Sequence, residues 1–337
     1  MPINLTTRYL GLNLRTPLVP AASPLSEDLD DLRRMEDAGA AAVVFHSIFE
    51  EQIREGDKTF ERHYSGGMED RAEVAEYFPK AEQFSFSPDR YLEKLTKAKQ
   101  SLGIPIIASL NGSSFGGWLT YAREIAQAGA DALELNIYSI PTSPELTAED
   151  IELGYISMVA SLKAQLKIPL SLKLPPFFTN FGRFAHQLDH HGVDGLVLFN
   201  RFFQPDVDIE SRRVAPTIDL TNSTALRLPL RWIAILSGRI KASLAATSGV
   251  QNASDVIKLV MAGADVTMLC SVLLRQGIEH LSVIERELRE WLERHGIESL
   301  AEIHGCLSQK NCPDPSAFER AQYMRALAVD RVFVNNA

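Results

Sequence analysis

Short apolar runs alternate with amphipathic stretches along most of this chain. The runs fall near residues 17 to 22, 41 to 47, 104 to 110, 131 to 137, 168 to 173, 194 to 199, 241 to 247 and 265 to 271. They read as strands buried on both faces, the habit of a parallel sheet, because they lack the polar alternation of a half-exposed strand. The same punctuation precedes four of them: Ala38-Gly-Ala, Ala128-Gly-Ala-Asp, His191-Gly-Val-Asp and Ala262-Gly-Ala-Asp. A glycine there ends a helix in the left-handed conformation before the chain enters the next strand. Repetition of that unit predicts right-handed β–α–β crossovers. Eight such strands predict an α/β fold of the (β/α)8 TIM-barrel class rather than an open sheet.

Around the barrel, Leu10 to Leu14 and Pro17 to Ala22 read as a short strand pair, and Ser26-Glu-Asp-Leu as the cap of a helix running to Ala38. Two segments are too long for simple crossovers, and both leave from strand C-termini. The first, 49 to 87, is charged and aromatic; the second runs from Arg201 to Thr224. The expected organisation is one barrel over 1–296, with the insertion at 49–87. A C-terminal extension over 297–337, helical from Pro315 to Leu327, is expected to pack on the barrel or on a neighbour.

Composition narrows the setting. The chain has 337 residues, 45% of them hydrophobic, enough for a large core. A net charge of -9 disfavours nucleic acid and anionic membrane as partners. Three cysteines, Cys270, Cys306 and Cys312, make neither an even disulfide framework nor an iron–sulfur ligand set. No basic-then-apolar leader opens the chain and no window is long enough to span a membrane, so a cytoplasmic protein is expected. The rim insertions and the tail make a homodimer plausible. His186 and His190 stand four apart on a helix outside the barrel, with no third ligand, and read as a solvated face rather than a metal site.

Candidate chemistry gathers at the expected C-terminal rim. IPLSLKLPP, 168 to 176, carries a single cation, Lys173, near the end of a buried strand. An ammonium there either meets an anionic ligand or pairs with a structural carboxylate. Glu134 and Asn136 share a face of the preceding strand, so Glu134 is a candidate partner for Lys173, and Asn136 needs a polar ligand or a neighbouring loop. Asn111 ends the third strand before a glycine-rich loop, Gly112, Gly116 and Gly117, suited to a flat ligand or to an ordinary turn. Thr247-Ser-Gly-Val and Cys270-Ser271 end the last two strands. Small residues there let main-chain N–H groups approach a phosphate, or they simply turn the chain before a helix capped at Asn252 or Ser254.

PLVPAAS, IPIIASLNG, ALELNI, IPLSLKLPP, TSGV and MLCS together resemble, in register from about residue 5 to 295, the dihydroorotate dehydrogenase family of FMN-dependent barrels. LKLPP and ELN are the most specific parts. The resemblance implies that Lys173 lies beside the flavin ring with Asn136 bonded to it, and that Ala21, Ala22 and Ser23 line the ring, with Asn111 near it. Ser248, Gly249, Cys270 and Ser271 would hold the phosphate. It also implies a small-molecule substrate, a separate electron acceptor, and a base after ELN, where Ser139 falls and Tyr138 competes for the role. A cation near the pyrimidine edge of a flavin stabilises the charge that appears there on reduction.

The departures lie on the substrate side. The family's lysine at the end of the second strand aligns with His46, not a permanent cation at neutral pH. A substrate-gripping asparagine aligns with Pro141, which has no N–H to give; Asn200 on the sixth strand is the nearest equivalent of another. The asparagine- and glycine-rich substrate loop expected after the second strand is replaced by the charged insertion. The expected activity is hydride transfer from dihydroorotate or a related small substrate to FMN, with Ser139, Lys173 and His46 in catalysis and His46 and Asn200 on the substrate. Two alternatives stand beside it: a non-flavin barrel enzyme that uses Lys173 as a Schiff base on a phosphorylated substrate, and a flavin-binding protein without catalysis.

Overall fold

A computed structural model describes residues 3–50, 88–112, 118–202, 204–215, 219–319 and 323–325. Eight strands make one parallel sheet: β3 (Leu18–Pro20), β4 (Val43–Phe49), β5 (Ile106–Gly112), β6 (Ala132–Ile137), β7 (Leu170–Leu174), β8 (Gly195–Leu198), β11 (Ser243–Thr247) and β12 (Val266–Leu269). Their spatial order is β3-β12-β11-β8-β7-β6-β5-β4, and the Ala41 N–H donates to the Leu18 carbonyl at 3.0 Å across the gap between the end strands. This is the (β/α)8 barrel expected from the eight apolar runs. A hairpin of β1 (Thr7–Tyr9) and β2 (Leu12–Leu14) precedes it, so the pair expected between Leu10–Leu14 and the first barrel strand forms one step earlier in the chain.

The helices are α1 (Leu29–Asp37), α2 (Pro88–Ser101), α3 (Trp118–Gln127), α4 (Ala148–Lys163), α5 (Phe181–His190), α6 (Arg227–Leu236), α7 (Ala253–Ala262), α8 (Ser271–Gln276) and α9 (His280–Arg294). Their limits follow local chemistry. Asp28, not Ser26, caps α1 by accepting from the N–H groups of Asp30 and Asp31, Thr147 and Asp150 form a reciprocal box on α4, and Asn252 caps α7. Gly39, Gly129, Gly192 and Gly263 have φ of +110°, +96°, +88° and +111°, the left-handed stops that their position before each strand requires.

Two apolar layers result. Between strands and helices lies the larger core, containing Leu18, Phe45, Leu135, Leu172 and Phe184 among many others. Inside the barrel a smaller set, including Val19, Val44, Ile107, Val197 and Met268, sits above the hairpin that closes the bottom. The Leu10 N–H reaches Ser243 Oγ at 3.1 Å, and a Cβ on Gly195 would lie 2.5 Å from Leu10 Cδ2, so a glycine on β8 admits the plug.

One interior layer is polar. Register places Ser47, Ser109, Glu134, Ser171, Gly195 and Ser243 side by side across β4 to β11. One step nearer the rim the same register aligns Asn111, Asn136, Lys173 and Val197. Polar groups thus line one side of the barrel, while Val197 and Ala245 line the other.

Beyond the barrel, Gly305 and Leu307 donate to the carbonyls of Val260 and Met261 on α7, and Gln309 to that of Ala234 on α6. The expected tail helix is described only in part: Pro315–Phe318 is a 3-10 turn, and 320–322 and 326–337 lie outside the described residues. The 49–87 insertion lies outside them as well, apart from its first two residues. The second insertion folds a small hairpin, β9 (Asp206–Asp208) with β10 (Arg213–Ala215).

Candidate active site

The strand C-termini converge on a cavity of about 250 Å³. Ala21 and Ala22 follow β3, Lys173 is the last residue but one of β7, Asn200 follows β8, Ser248 and Gly249 follow β11, and Cys270 and Ser271 follow β12; all eight line it. Small side chains leave the room, and Lys173 and Asn200, with Arg201 and Asp219 also lining it, give it polarity. Lys173 is 8% exposed and its ammonium lies 3.8 Å from Glu134 Oε1. That separation is an ion pair and too long for a hydrogen bond. Burial raises the Glu134 carboxyl above the usual carboxylate range, and Lys173 works against the rise. Burial also raises the Cys270 thiol, and the charge of Lys173 again opposes it, as expected of two groups on one cavity.

Asn136 and Asn200 meet directly. Asn200 Nδ2 donates to Asn136 Oδ1 at 2.6 Å and lies 3.4 Å from the Ile137 carbonyl. The amide hydrogens of Asn136 and the carbonyl of Asn200 are then left for a ligand. Asn111 is buried beside Asn136 in register. Ser23 is held by a local turn: its N–H donates to Ser26 Oγ at 3.2 Å and its carbonyl accepts from that hydroxyl at 2.9 Å.

The loop after β11 is built under strain. Ser248 takes φ +76°, unfavourable for a residue with a Cβ, and its hydroxyl donates to the Phe199 carbonyl at 3.1 Å. Gly249 follows at φ +87°, and a Cβ on it would stand 2.4 Å from the Leu226 nitrogen. Only glycine fits that cradle. Thr221 completes it: its hydroxyl lies 2.9 Å from Ser271 Oγ and accepts from the Gly249 N–H at 3.3 Å. Arg275 holds the Leu220 and Thr221 carbonyls at 2.6 Å each. Sequence reasoning missed Thr221 and Arg275, because their role depends on an insertion folding back across the rim.

His46 is placed differently. The β4–β5 register shifts between Val44 and Ser47, and Ser47 faces inward with its hydroxyl 2.8 Å from that of Ser109. The His46 ring packs on Phe45 and Tyr91, with Nδ1 3.4 Å from the Ser26 carbonyl, and it does not line the 250 Å³ cavity. Burial holds its imidazole below the ordinary value.

Ser139 lines a second, larger cavity of about 1000 Å³ that shares Phe199, Asn200, Arg201 and Ser248 with the first. Its neighbour there is Tyr155 of α4, a residue that sequence spacing did not connect with it. Burial raises the Tyr155 phenol, and the Ser139 hydroxyl offsets part of that rise. Pro141 stands on the same wall.

A parallel barrel with a buried lysine, paired amides and a glycine cradle at its rim defines a ligand-binding (β/α)8 enzyme. The sequence profile of the family described as dihydroorotate dehydrogenase matches residues 86–292, more than half of the chain. The chain belongs to the dihydroorotate dehydrogenase family and is an oxidoreductase acting on CH–CH bonds. Among its relatives, the putative dihydroorotate dehydrogenase A (fumarate) of Aeropyrum pernix is 24% identical over 311 residues, covering 89% of this chain and 96% of that one. The catalytic subunit of dihydroorotate dehydrogenase B (NAD(+)) from Shouchella clausii is 26% identical over 213 residues, 60% of this chain and 68% of its own. The corresponding subunit from Bacillus cereus is 23% identical over 316 residues, covering 90% and 96%.

Proposed function

We propose that this protein binds FMN non-covalently across the C-terminal rim and oxidises a CH–CH bond of dihydroorotate or a related small molecule. The observation that carries the reading is that Lys173, the Ala21-Ala22 pair and the loops at Gly249 and Ser271 line one cavity. The residues fit the cofactor. Ala21 and Ala22 leave one wall free of bulk, Gly249 carries no side chain into the cavity, and the buried cation Lys173 stands on the same cavity.

FMN, when bound, supplies a two-electron acceptor for hydride. The chain's residues hold and orient. Gly249, Ser248, Cys270 and Ser271 take the phosphate end, with Thr221 fixing their loops. Lys173 presents its ammonium to the electron-rich edge, and the Asn136 amide donates beside it. Asn200 ties Asn136 in place and offers its carbonyl to the substrate. Ser139 takes the substrate's proton as its own hydroxyl proton passes to solvent through the larger cavity it lines, and the raised phenol of Tyr155 stays protonated at neutral pH and orients that hydroxyl. His46, which the resemblance sets on the substrate side, packs on Tyr91.

The same reading makes the protein a cytoplasmic homodimer. Its acidic charge and unpaired cysteines support the first, and no helix among the described residues is long and apolar enough to cross a membrane. The β9–β10 hairpin supports the second, because Val207, Ile209 and Val214 are exposed there.

The test is a visible spectrum of the purified protein followed by anaerobic mixing with dihydroorotate. A flavin spectrum that bleaches in the parent, and more than about a hundredfold more slowly in Ser139→Ala, supports the reading. A colourless protein that takes up no added FMN refutes it.

A further inference from the structure

The larger cavity does not suit the substrate that the family name suggests. At about 1000 Å³ it lies at the upper end of small-ligand sites, and a single small polar ring would leave most of it open. Its surface is apolar. Phe177 and Ile140 are 71% and 61% exposed, and the Phe202 ring stands 4.3 Å from Tyr138 and 5.8 Å from Phe177. Pro141 brings a wall without an N–H where a polar ring would need a donor. Two cations sit among these groups. Arg201 gives Nη1 to the Asp219 carbonyl at 2.7 Å, and among the described residues neither Arg201 nor Arg227 forms an ion pair. Glu152 also lines the cavity, but two guanidinium groups against one carboxylate leave its wall net positive, which in a chain of net charge -9 favours an anionic guest. Asn200 and Ser248 line both cavities and Ser139 stands on the wall of the larger, so a molecule held there reaches the proposed reacting centre.

We infer that the substrate carries, beside its reacting carbons, an aromatic or branched apolar arm that fills this cavity and a carboxylate set against Arg201 or Arg227. This inference rests on the reading above for its reaction and names the class of molecule that undergoes it. Dihydroorotate is compact and polar; the preferred substrate is larger and amphipathic.

The experiment is calorimetric titration of the FMN-loaded protein with 2-naphthoate, 2-naphthamide and orotate. The expected result is 2-naphthoate binding at least about tenfold tighter than orotate. Ile140→Asp and Leu228→Asp change exposed side chains of the wall, so both variants fold, which a thermal melt checks. Each weakens 2-naphthoate about tenfold or more and leaves orotate within about twofold. The Arg201→Gln, Arg227→Gln double variant weakens 2-naphthoate about fivefold more than the neutral amide. Orotate binding as tightly as 2-naphthoate, or an affinity for 2-naphthoate unmoved in both aspartate variants, overturns the inference. Flavin absorbance on the same samples keeps the two questions apart. A protein that takes up no FMN refutes the proposed reaction, while the naphthoate titration still decides what the cavity accepts.

Discussion

The ammonium of Lys173 stands 3.8 Å from Oε1 of Glu134, whose side chain is fully enclosed by the barrel while that of Lys173 keeps 11% of its surface. The pair is therefore asymmetric. Glu134 lies in the serine layer with neither oxygen within hydrogen-bonding distance of a partner among the described residues, and Lys173 stands one step nearer the rim. Desolvation dominates for the carboxyl, so the lysine matters more to the glutamate than the reverse.

Lys173→Met is expected to destabilise the protein by about 3 kcal/mol at neutral pH, because it leaves a buried carboxylate uncompensated. Glu134→Gln is expected to cost less than about 1 kcal/mol. The pH dependence follows from the direction of the shift. A carboxyl raised in the folded state contributes stability below its ordinary value of 4.5, and that contribution is lost as pH rises through the folded value. Urea midpoints of Lys173→Met should fall more steeply than those of the parent as pH rises above 4.5, and Glu134→Gln in the same background should remove the difference.

His46 gives a slope of the opposite sign. Its buried imidazole titrates below the ordinary 6.5, so as pH falls past that value the unfolded chain takes up a proton that the folded protein does not. Stability is lost on going down through that window to the folded value, and His46→Gln should flatten the loss in denaturant titrations.

How far the sequence reached differs between strands and site. All eight barrel strands fall on the apolar runs, because burial on both faces writes a dense local signal. The four glycine stops are legible for the same local reason. Lys173 and Asn136 stand out as candidates because they are polar residues near the ends of buried strands, and Gly249 and Ser271 because small residues follow the last two; of these, Lys173, Gly249 and Ser271 line the 250 Å³ cavity. The serine layer around Glu134 was not found. It exists only through the registers that join Ser109 to Glu134 and Ser171 across strands far apart in the chain. The turning of His46 depends on a register shift on β4 that leaves no pattern in VVFHS. Thr221 meets Gly249 across 28 residues and Tyr155 meets Ser139 from the next helix, and contacts of that kind are set by packing.

Gly249→Ala tests the cradle. A Cβ 2.4 Å from the Leu226 nitrogen meets main chain that cannot swing aside, and φ of +87° adds the left-handed penalty. The expected cost is about 3 kcal/mol, with FMN retention on gel filtration down at least about tenfold. Gly11→Ala is the control. Gly11 has φ +78° but nothing within 4 Å of the added atom, so only the backbone penalty of about 1 kcal/mol applies, with FMN content unchanged.

The Asn136–Asn200 hydrogen bond joins the proposed cofactor contact to the proposed substrate contact, and a double-mutant cycle can separate them. Asn200→Ala strands Asn136 Oδ1 in a buried site, at an expected cost of about 1 to 3 kcal/mol in stability. Asn136→Ala removes the donor proposed for the flavin as well, so it should weaken FMN binding more than Asn200→Ala does. The pair is in contact, so the two losses should not add: once either side chain is gone, removal of the other should cost about 1 kcal/mol less than in the parent. Additive losses, measured by urea unfolding of the four proteins, would show that the two amides act independently and that Asn200 does not hold Asn136 in position.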